Sequence, residues 1–173
     1  SLITSPEYSM KKLLGSGLKQ IFTITKVFRN EENFGGEHNP EFSMLEWYRQ
    51  GEDYQACMDE TEALVKKAAG AFGVSLPDFK RVRVRDLFLE HTNIDLDTAT
   101  QDILTAACDR HDIHIDSTDT ESDLFFRLFL SRIEPNLGLD PIFLYDYPKY
   151  QAALSTLTED GLYGQRFELY INS

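Results

Sequence analysis

Apolar and polar positions along this chain repeat in two different periods, and the changes of period mark its elements. Ser5-Pro6-Glu7 has the form of a helix start, with Ser5 as cap, Pro6 at the first helical position and Glu7 near the positive end of the dipole. Met10, Leu13 and Leu14 supply the apolar face of that helix, and Gly15-Ser16-Gly17 ends it. Over residues 20–29 the period becomes two. Phe22, Ile24, Lys26 and Phe28 then fall on one face, and Ile21, Thr23, Thr25, Val27 and Arg29 on the other. The polar, glycine-containing stretch 30–39 reads as a loop, and 41–49 returns as a strand with Phe42, Met44, Glu46 and Tyr48 on one face. Residues 20–49 therefore predict a long-looped antiparallel hairpin.

Tyr54, Cys57, Met58, Thr61, Leu64, Val65 and Ala68 recur at helical spacing, which predicts a helix that ends around 70–73 and backs a sheet. Residues 82–140 alternate short helical patterns, such as 103–110 and 124–133, with acidic turns, and read as a helical insertion. The proline-bounded run 141–148 predicts a buried strand. A last strand at 166–171 puts Arg166, Glu168 and Tyr170 on one face and Phe167, Leu169 and Ile171 on the other. The expected fold class is α+β, an antiparallel sheet flanked by helices in one domain over 1–173, with returning strands at about 141–173. At 173 residues and 42% hydrophobic, the chain can bury one sizeable core.

A net charge of -12 argues against a broad electrostatic footprint for nucleic acid, which needs clustered Lys and Arg. The one dense cationic stretch, Lys80-Arg81-Val82-Arg83-Val84-Arg85, alternates like a strand with one solvated face. No run approaches the ~18 apolar residues of a membrane span, and no basic-then-apolar leader opens the chain. A cytoplasmic protein that makes no use of a membrane is expected. Cys57 and Cys108 lie far apart and are not arranged like a disulfide framework, so reduced, buried thiols are expected. Cys108, His111 and His114, with Asp109 and Asp112 between them, have a spacing that suits a metal. An acidic helix-to-strand junction produces the same spacing, and a solvated loop is the preferred reading.

The hairpin carries the chemistry. Arg29 ends its first strand, and the second places an aromatic ring, a carboxylate and a phenol on a single face. Burying such groups is costly unless a polar ligand or neighbours satisfy them. Each residue also has a plain structural reading: Arg29 paired with Glu31 at the surface, Phe42 in the core, Glu46 hydrogen-bonded to Tyr48.

Taken together these residues resemble a known family. Phe28-Arg29-Asn30-Glu31-Glu32, a loop, and then His38-Asn39-Pro40-Glu41-Phe42-Ser43-Met44-Leu45-Glu46-Trp47-Tyr48 resemble motif 2 of the class II aminoacyl-tRNA synthetases, in its lysine subgroup. Thr4-Ser5-Pro6-Glu7, followed by a Met-Lys-Lys-Leu-Leu helix, matches a second signature of that subgroup. Within it the chain is most similar to the elongation factor P lysine ligases, shortened relatives without an anticodon-binding domain. That likeness rests on the short motif 2 loop and Glu46-Trp47-Tyr48. It extends to Glu134-Pro135-Asn136-Leu137-Gly138, Tyr147-Pro148-Lys149-Tyr150-Gln151-Ala152-Ala153-Leu154 and Arg166-Phe167-Glu168-Leu169-Tyr170.

The resemblance implies an ATP-dependent ligase that forms a lysyl or β-lysyl adenylate and passes it to a lysine of elongation factor P, with tRNA as the alternative acceptor. A catalytically inactive paralogue that binds nucleotide or amino acid is a third reading. By position, Arg29 is the implied catalytic residue, holding the α-phosphate and the attacking carboxylate. Asn30, Glu31, His38 and Asn39 would meet the nucleotide, Phe42 would stack on adenine, and Glu168 with Leu169 would lie near ATP, Glu168 toward Mg2+. Read without the family, Glu168 is a surface glutamate on an edge strand. Ser5, Pro6, Glu7, Glu46 and Tyr48 would receive the amino acid, and this acidic and phenolic lining suits a substrate with two ammonium groups. The family's third motif, and the Glu-Leu-Ala-Asn-Gly stretch that follows its last strand, are expected beyond residue 173. The first motif, which builds the family's homodimer interface, is not visible upstream. The core is accordingly expected to be incomplete, and the chain to be a piece of a longer protein with little activity alone.

Overall fold

The structure is a computed structural model that describes residues 2–29, 39–152 and 154–172. The chain divides into two compact units, Ser1–Asp53 and Tyr54–Ser173.

The first unit holds helix α1 (Glu7–Gly15) and strands β1 (Gln20–Phe28) and β2 (Glu41–Arg49). Pro6 stands at the cap position and is buried, while the Ser5 hydroxyl accepts the Glu7 N–H at 3.1 Å. Ser5 thus satisfies an orphan donor at the helix start, as a cap does, from one residue further out. Gly17, at φ 105°, supplies the left-handed turn that releases the chain into β1. Met10 is the buried residue of α1; Leu13 is 48% exposed, so the apolar stripe is narrower than its sequence predicts.

β1 and β2 pair antiparallel, with Ile21 opposite Tyr48, Thr23 opposite Glu46, Thr25 opposite Met44 and Val27 opposite Phe42. These pairs form the better-covered face. The other face exposes Phe22, Ile24 and Leu45.

The second unit begins with α2 (Tyr54–Ala71) and continues through β3 (Lys80–Arg83), α3 (Val84–Thr92), α4 (Gln101–Arg110) and α5 (Glu121–Leu128). It ends with β4 (Ile142–Pro148) and β5 (Tyr163–Tyr170). The strand order is β3-β4-β5, with β4 and β5 antiparallel but β3 parallel to β4. The sheet is therefore mixed rather than antiparallel throughout. Parallel neighbours need a crossover of a dozen residues or more, and the helices between β3 and β4 provide it. The alternating basic run also ends as a strand earlier than its pattern suggests. Val84, instead of continuing β3, opens α3 and is fully buried.

The helical segment shares its core with the sheet. Phe88, Leu104, Phe125, Phe129 and Ile133 pack in one cluster with Ile142, Leu144 and Tyr147 of β4. Thr100 caps α4, and Thr120 with Asp123 forms a capping box on α5, which fixes where these helices start. α2 backs the sheet through Met58, which packs with Phe79 and Phe143. Phe167 and Leu169 of β5 pack against the same cluster.

β5 passes close to the turn that follows β4. A methyl group added at Gly164 would lie 2.6 Å from Ala152 Cβ and 2.9 Å from its Cα. Gly164→Ala is expected to lower stability by about 1–3 kcal/mol, read as a lower urea midpoint at unchanged m-value.

Among the described residues, no helix is long and apolar enough to cross a membrane.

Candidate functional site

Glu46 is the hub of the covered hairpin face. Its Oε2 accepts the Ser5 hydroxyl at 3.0 Å and its Oε1 accepts the Tyr48 hydroxyl at 2.5 Å. Ser5 therefore works at both ends, donating to Glu46 and accepting the Glu7 N–H, and so ties the start of α1 to the middle of β2. Both hydroxyls are neutral donors. They hold the carboxylate still without cancelling its charge, and each oxygen keeps a lone pair for an ammonium group. Burial raises the Tyr48 phenol well above its ordinary value, and the hydrogen bond and charge of Glu46 add to it, so Tyr48 stays a donor at neutral pH. Glu7 contributes to the same rise, which places its charge within reach of Tyr48. The Glu7 carboxylate itself pairs with Lys11 Nζ at 2.6 Å, one turn along α1.

Phe42 lies four residues from Glu46 on the same face, about 13 Å along the strand. Beside it, the Arg29 N–H donates to the Pro40 carbonyl at 2.9 Å, closing the hairpin and fixing the root of the side chain. Arg29 Nε reaches the Thr4 carbonyl at 3.4 Å, and its guanidinium carbon sits 5.4 Å from the Phe42 ring centroid. This end of the face thus joins a flat apolar surface to a fixed cation, which is the pairing that a nucleobase and a phosphate require. Asn39 is exposed next to it. Asn30, Glu31 and His38 lie outside the described residues. Pro6 is buried under the start of α1 and helps shape it.

In the second unit, Glu168 is engaged by its own chain. Its Oε2 accepts Tyr170 Oη at 2.9 Å and Tyr147 Oη at 3.2 Å, and its Oε1 pairs with Arg166. Arg166 also donates to the Gln151 carbonyl at 2.7 Å and lies over the Tyr147 ring. A carboxylate so surrounded anchors its neighbours, and a cation approaching it would have to compete with Arg166. Burial, with the Glu168 charge adding to it, pushes the Tyr147 and Tyr170 phenols up, so both remain donors to it. Leu169 turns to the opposite face and packs near Met58 and Phe143.

Among the described residues, no three His, Cys, Asp or Glu side chains gather as a metal site. Both cysteines are free; Cys108 is fully buried, with its Sγ 3.9 Å from the Leu124 carbonyl, whereas Cys57 on α2 is only part-buried. The cationic run is matched residue by residue within the chain. Lys80 pairs with Asp140, Arg81 with Asp59 and Glu62, Arg83 with Asp146, and Arg85 with Asp97.

Two side chains beside these groups go unnoticed in the sequence reading of function. Lys11 has a signal, the i,i+4 spacing from Glu7. Arg166 has one in its i,i+2 relation to Glu168 on a strand.

The family model for class II tRNA synthetases (D, K and N) matches residues 1–173. An elongation factor P–(R)-β-lysine ligase of Yersinia enterocolitica is 40% identical over 174 residues, covering 98% of this chain and 51% of that protein. Proteins of the same name from Hamiltonella defensa and Haemophilus influenzae are 38% and 37% identical, again over 98% of this chain and 51% of theirs. The chain spans about half the length of the curated relatives it matches.

Proposed function

This chain belongs to the class II tRNA synthetases of the D, K and N group, and from that premise we propose that its protein activates lysine or β-lysine with ATP and transfers it to a lysine of elongation factor P. The observation that carries the reading is the Glu46 hub. A carboxylate held by Ser5 and Tyr48, with Glu7 nearby, shares one strand face with Phe42, and Arg29 lies beside that ring. One end suits ammonium groups and the other a nucleotide.

In the first step the substrate carboxylate attacks the α-phosphorus of ATP and pyrophosphate leaves. Arg29 bears on the charge that builds there, and its fork can hold the α-phosphate and the attacking carboxylate together. Phe42 offers its face to adenine. Asn39, with Asn30, Glu31 and His38, completes the nucleotide contacts, while Ser5, Pro6, Glu7, Glu46 and Tyr48 form the amino-acid pocket. In the second step the acceptor amine attacks the acyl carbon and AMP leaves. Glu168 is the carboxylate that would hold Mg2+ together with the substrate phosphates, where the ion would supply positive charge. Glu168 and Leu169 would lie near ATP, and Glu168 would exchange its present partner Arg166 for the ion.

The names of the relatives and the in-chain pairing of the basic run favour a protein acceptor over tRNA. The test is ATP–pyrophosphate exchange by the intact protein, expected to depend on added lysine or β-lysine, followed by transfer of labelled amino acid to elongation factor P. Labelling of tRNA alone would reverse the choice of acceptor. Ligand binding without exchange would point to a non-catalytic paralogue.

A further inference from the structure

The Glu7–Lys11 ion pair has a feature that an ordinary helix-surface pair lacks: the charge of its carboxylate is felt at Tyr48, which donates to Glu46. Ser5 holds the main chain of Glu7 beside this group, because its one hydroxyl accepts the Glu7 backbone N–H and donates to the Glu46 carboxylate. Glu7 and Glu46 are then the two anions of the proposed amino-acid pocket. Lys11 places an ammonium group 2.6 Å from the first of them, while the second accepts the neutral Ser5 and Tyr48 hydroxyls.

An ammonium group on a four-carbon stem is also the side-chain end of lysine. We propose that Lys11 is an internal counter-ion that competes with a substrate ammonium group for Glu7 and so sets how tightly this face holds a diamine-type amino acid. The inference rests on the reading of the face as a lysine or β-lysine site. With Lys11 on Glu7, the two carboxylates and one ammonium leave a single net negative charge. An incoming substrate ammonium must then share Glu7 or displace Lys11. Both side chains are partly exposed, 48% for Lys11 and 29% for Glu7, so the displaced ammonium can move into water. The competition is therefore cheap to reverse, and its effect is modest and salt-dependent.

The experiment is calorimetric titration of L-lysine and β-lysine into the intact protein and its K11M and K11Q variants, at low and high salt. Each variant is combined with E7Q as well. Both single variants keep a helix-compatible side chain. They are expected to bind about 2- to 5-fold more tightly at low salt, with a smaller gain at high salt and no gain when Glu7 is already Gln. A purely structural role for Lys11 predicts equal or weaker binding and no dependence on Glu7; that outcome, in a protein whose unmodified form binds lysine, would overturn this inference alone. Failure of the unmodified protein to bind either amino acid would overturn the reading of the face and this inference with it.

Discussion

Arg29→Ala is expected to lower amino-acid-dependent ATP–pyrophosphate exchange by the intact protein about 10²–10³-fold, a loss of roughly 3–4 kcal/mol in transition-state stabilisation. The expectation follows from where the side chain is rooted. Its backbone N–H is tied to Pro40 at the mouth of the hairpin, and its guanidinium lies against Phe42. The charge is thus held near the proposed nucleotide surface before any ligand arrives, and preorganised charge is what stabilises a developing phosphoryl anion. Arg29→Lys keeps the charge but loses the planar fork, and should recover only part of the activity. Lysine binding by calorimetry should fall less in Arg29→Ala than in Glu46→Gln, because Arg29 would hold only the substrate carboxylate while Glu46 takes an ammonium group. Full exchange activity in Arg29→Ala would remove this residue from the mechanism.

The period-two stretches around residues 20–29 and 41–49 locate both strands of the hairpin to within a residue. They do not tell which face is covered. Phe22 and Ile24 are the more apolar pair, yet they are 73% and 68% exposed, while Thr23 and Thr25 stand on the better-covered face. The covered face is the one that carries Glu46 and Tyr48, so hydrophobicity ranks the faces in the wrong order where polar chemistry occupies the inside.

The start of α3 escapes for a different reason. Val82 and Val84 extend the alternation of the basic run, but Val84 is drawn into the helical core with Leu87 and Phe88, and tertiary packing overrides the local pattern. The π-helical turn Phe129–Ile133 has no periodic signature apart from that of the helix it continues. In the candidate site, spacing alone puts Glu46 and Tyr48 on one face and raises the prospect of their hydrogen bond. The Ser5 contact joins residues 41 positions apart, and periodicity has nothing to say about it. The same holds for Tyr147 on Glu168, 21 positions apart on neighbouring strands, where register decides the meeting.

Glu46→Gln should be the most damaging change at the amino-acid end of the face, weakening lysine binding by about 30-fold or more, or roughly 2 kcal/mol and upward. The substitution keeps the shape and removes the charge. It also leaves one acceptor oxygen where two hydroxyls now donate, so either Ser5 or Tyr48 must turn its proton elsewhere or face an NH₂ group. The two effects can be separated. Ser5→Ala removes one donor and the Glu7 N–H acceptor but leaves both carboxylates charged, so its loss of affinity should be several-fold smaller. The Tyr48 phenol gives an internal readout. With the Glu46 charge gone and its hydrogen bond at best shared with Ser5, less raises the phenol while burial remains, so in Glu46→Gln it should ionise at lower pH than in the unmodified protein yet still above an ordinary tyrosine. Spectrophotometric titration measures this without any ligand or activity. If lysine binding collapsed and the phenol did not move, the carboxylate would act on the substrate but not through Tyr48; if the phenol moved and binding held, the hub would be structural and the ammonium site would have to lie elsewhere.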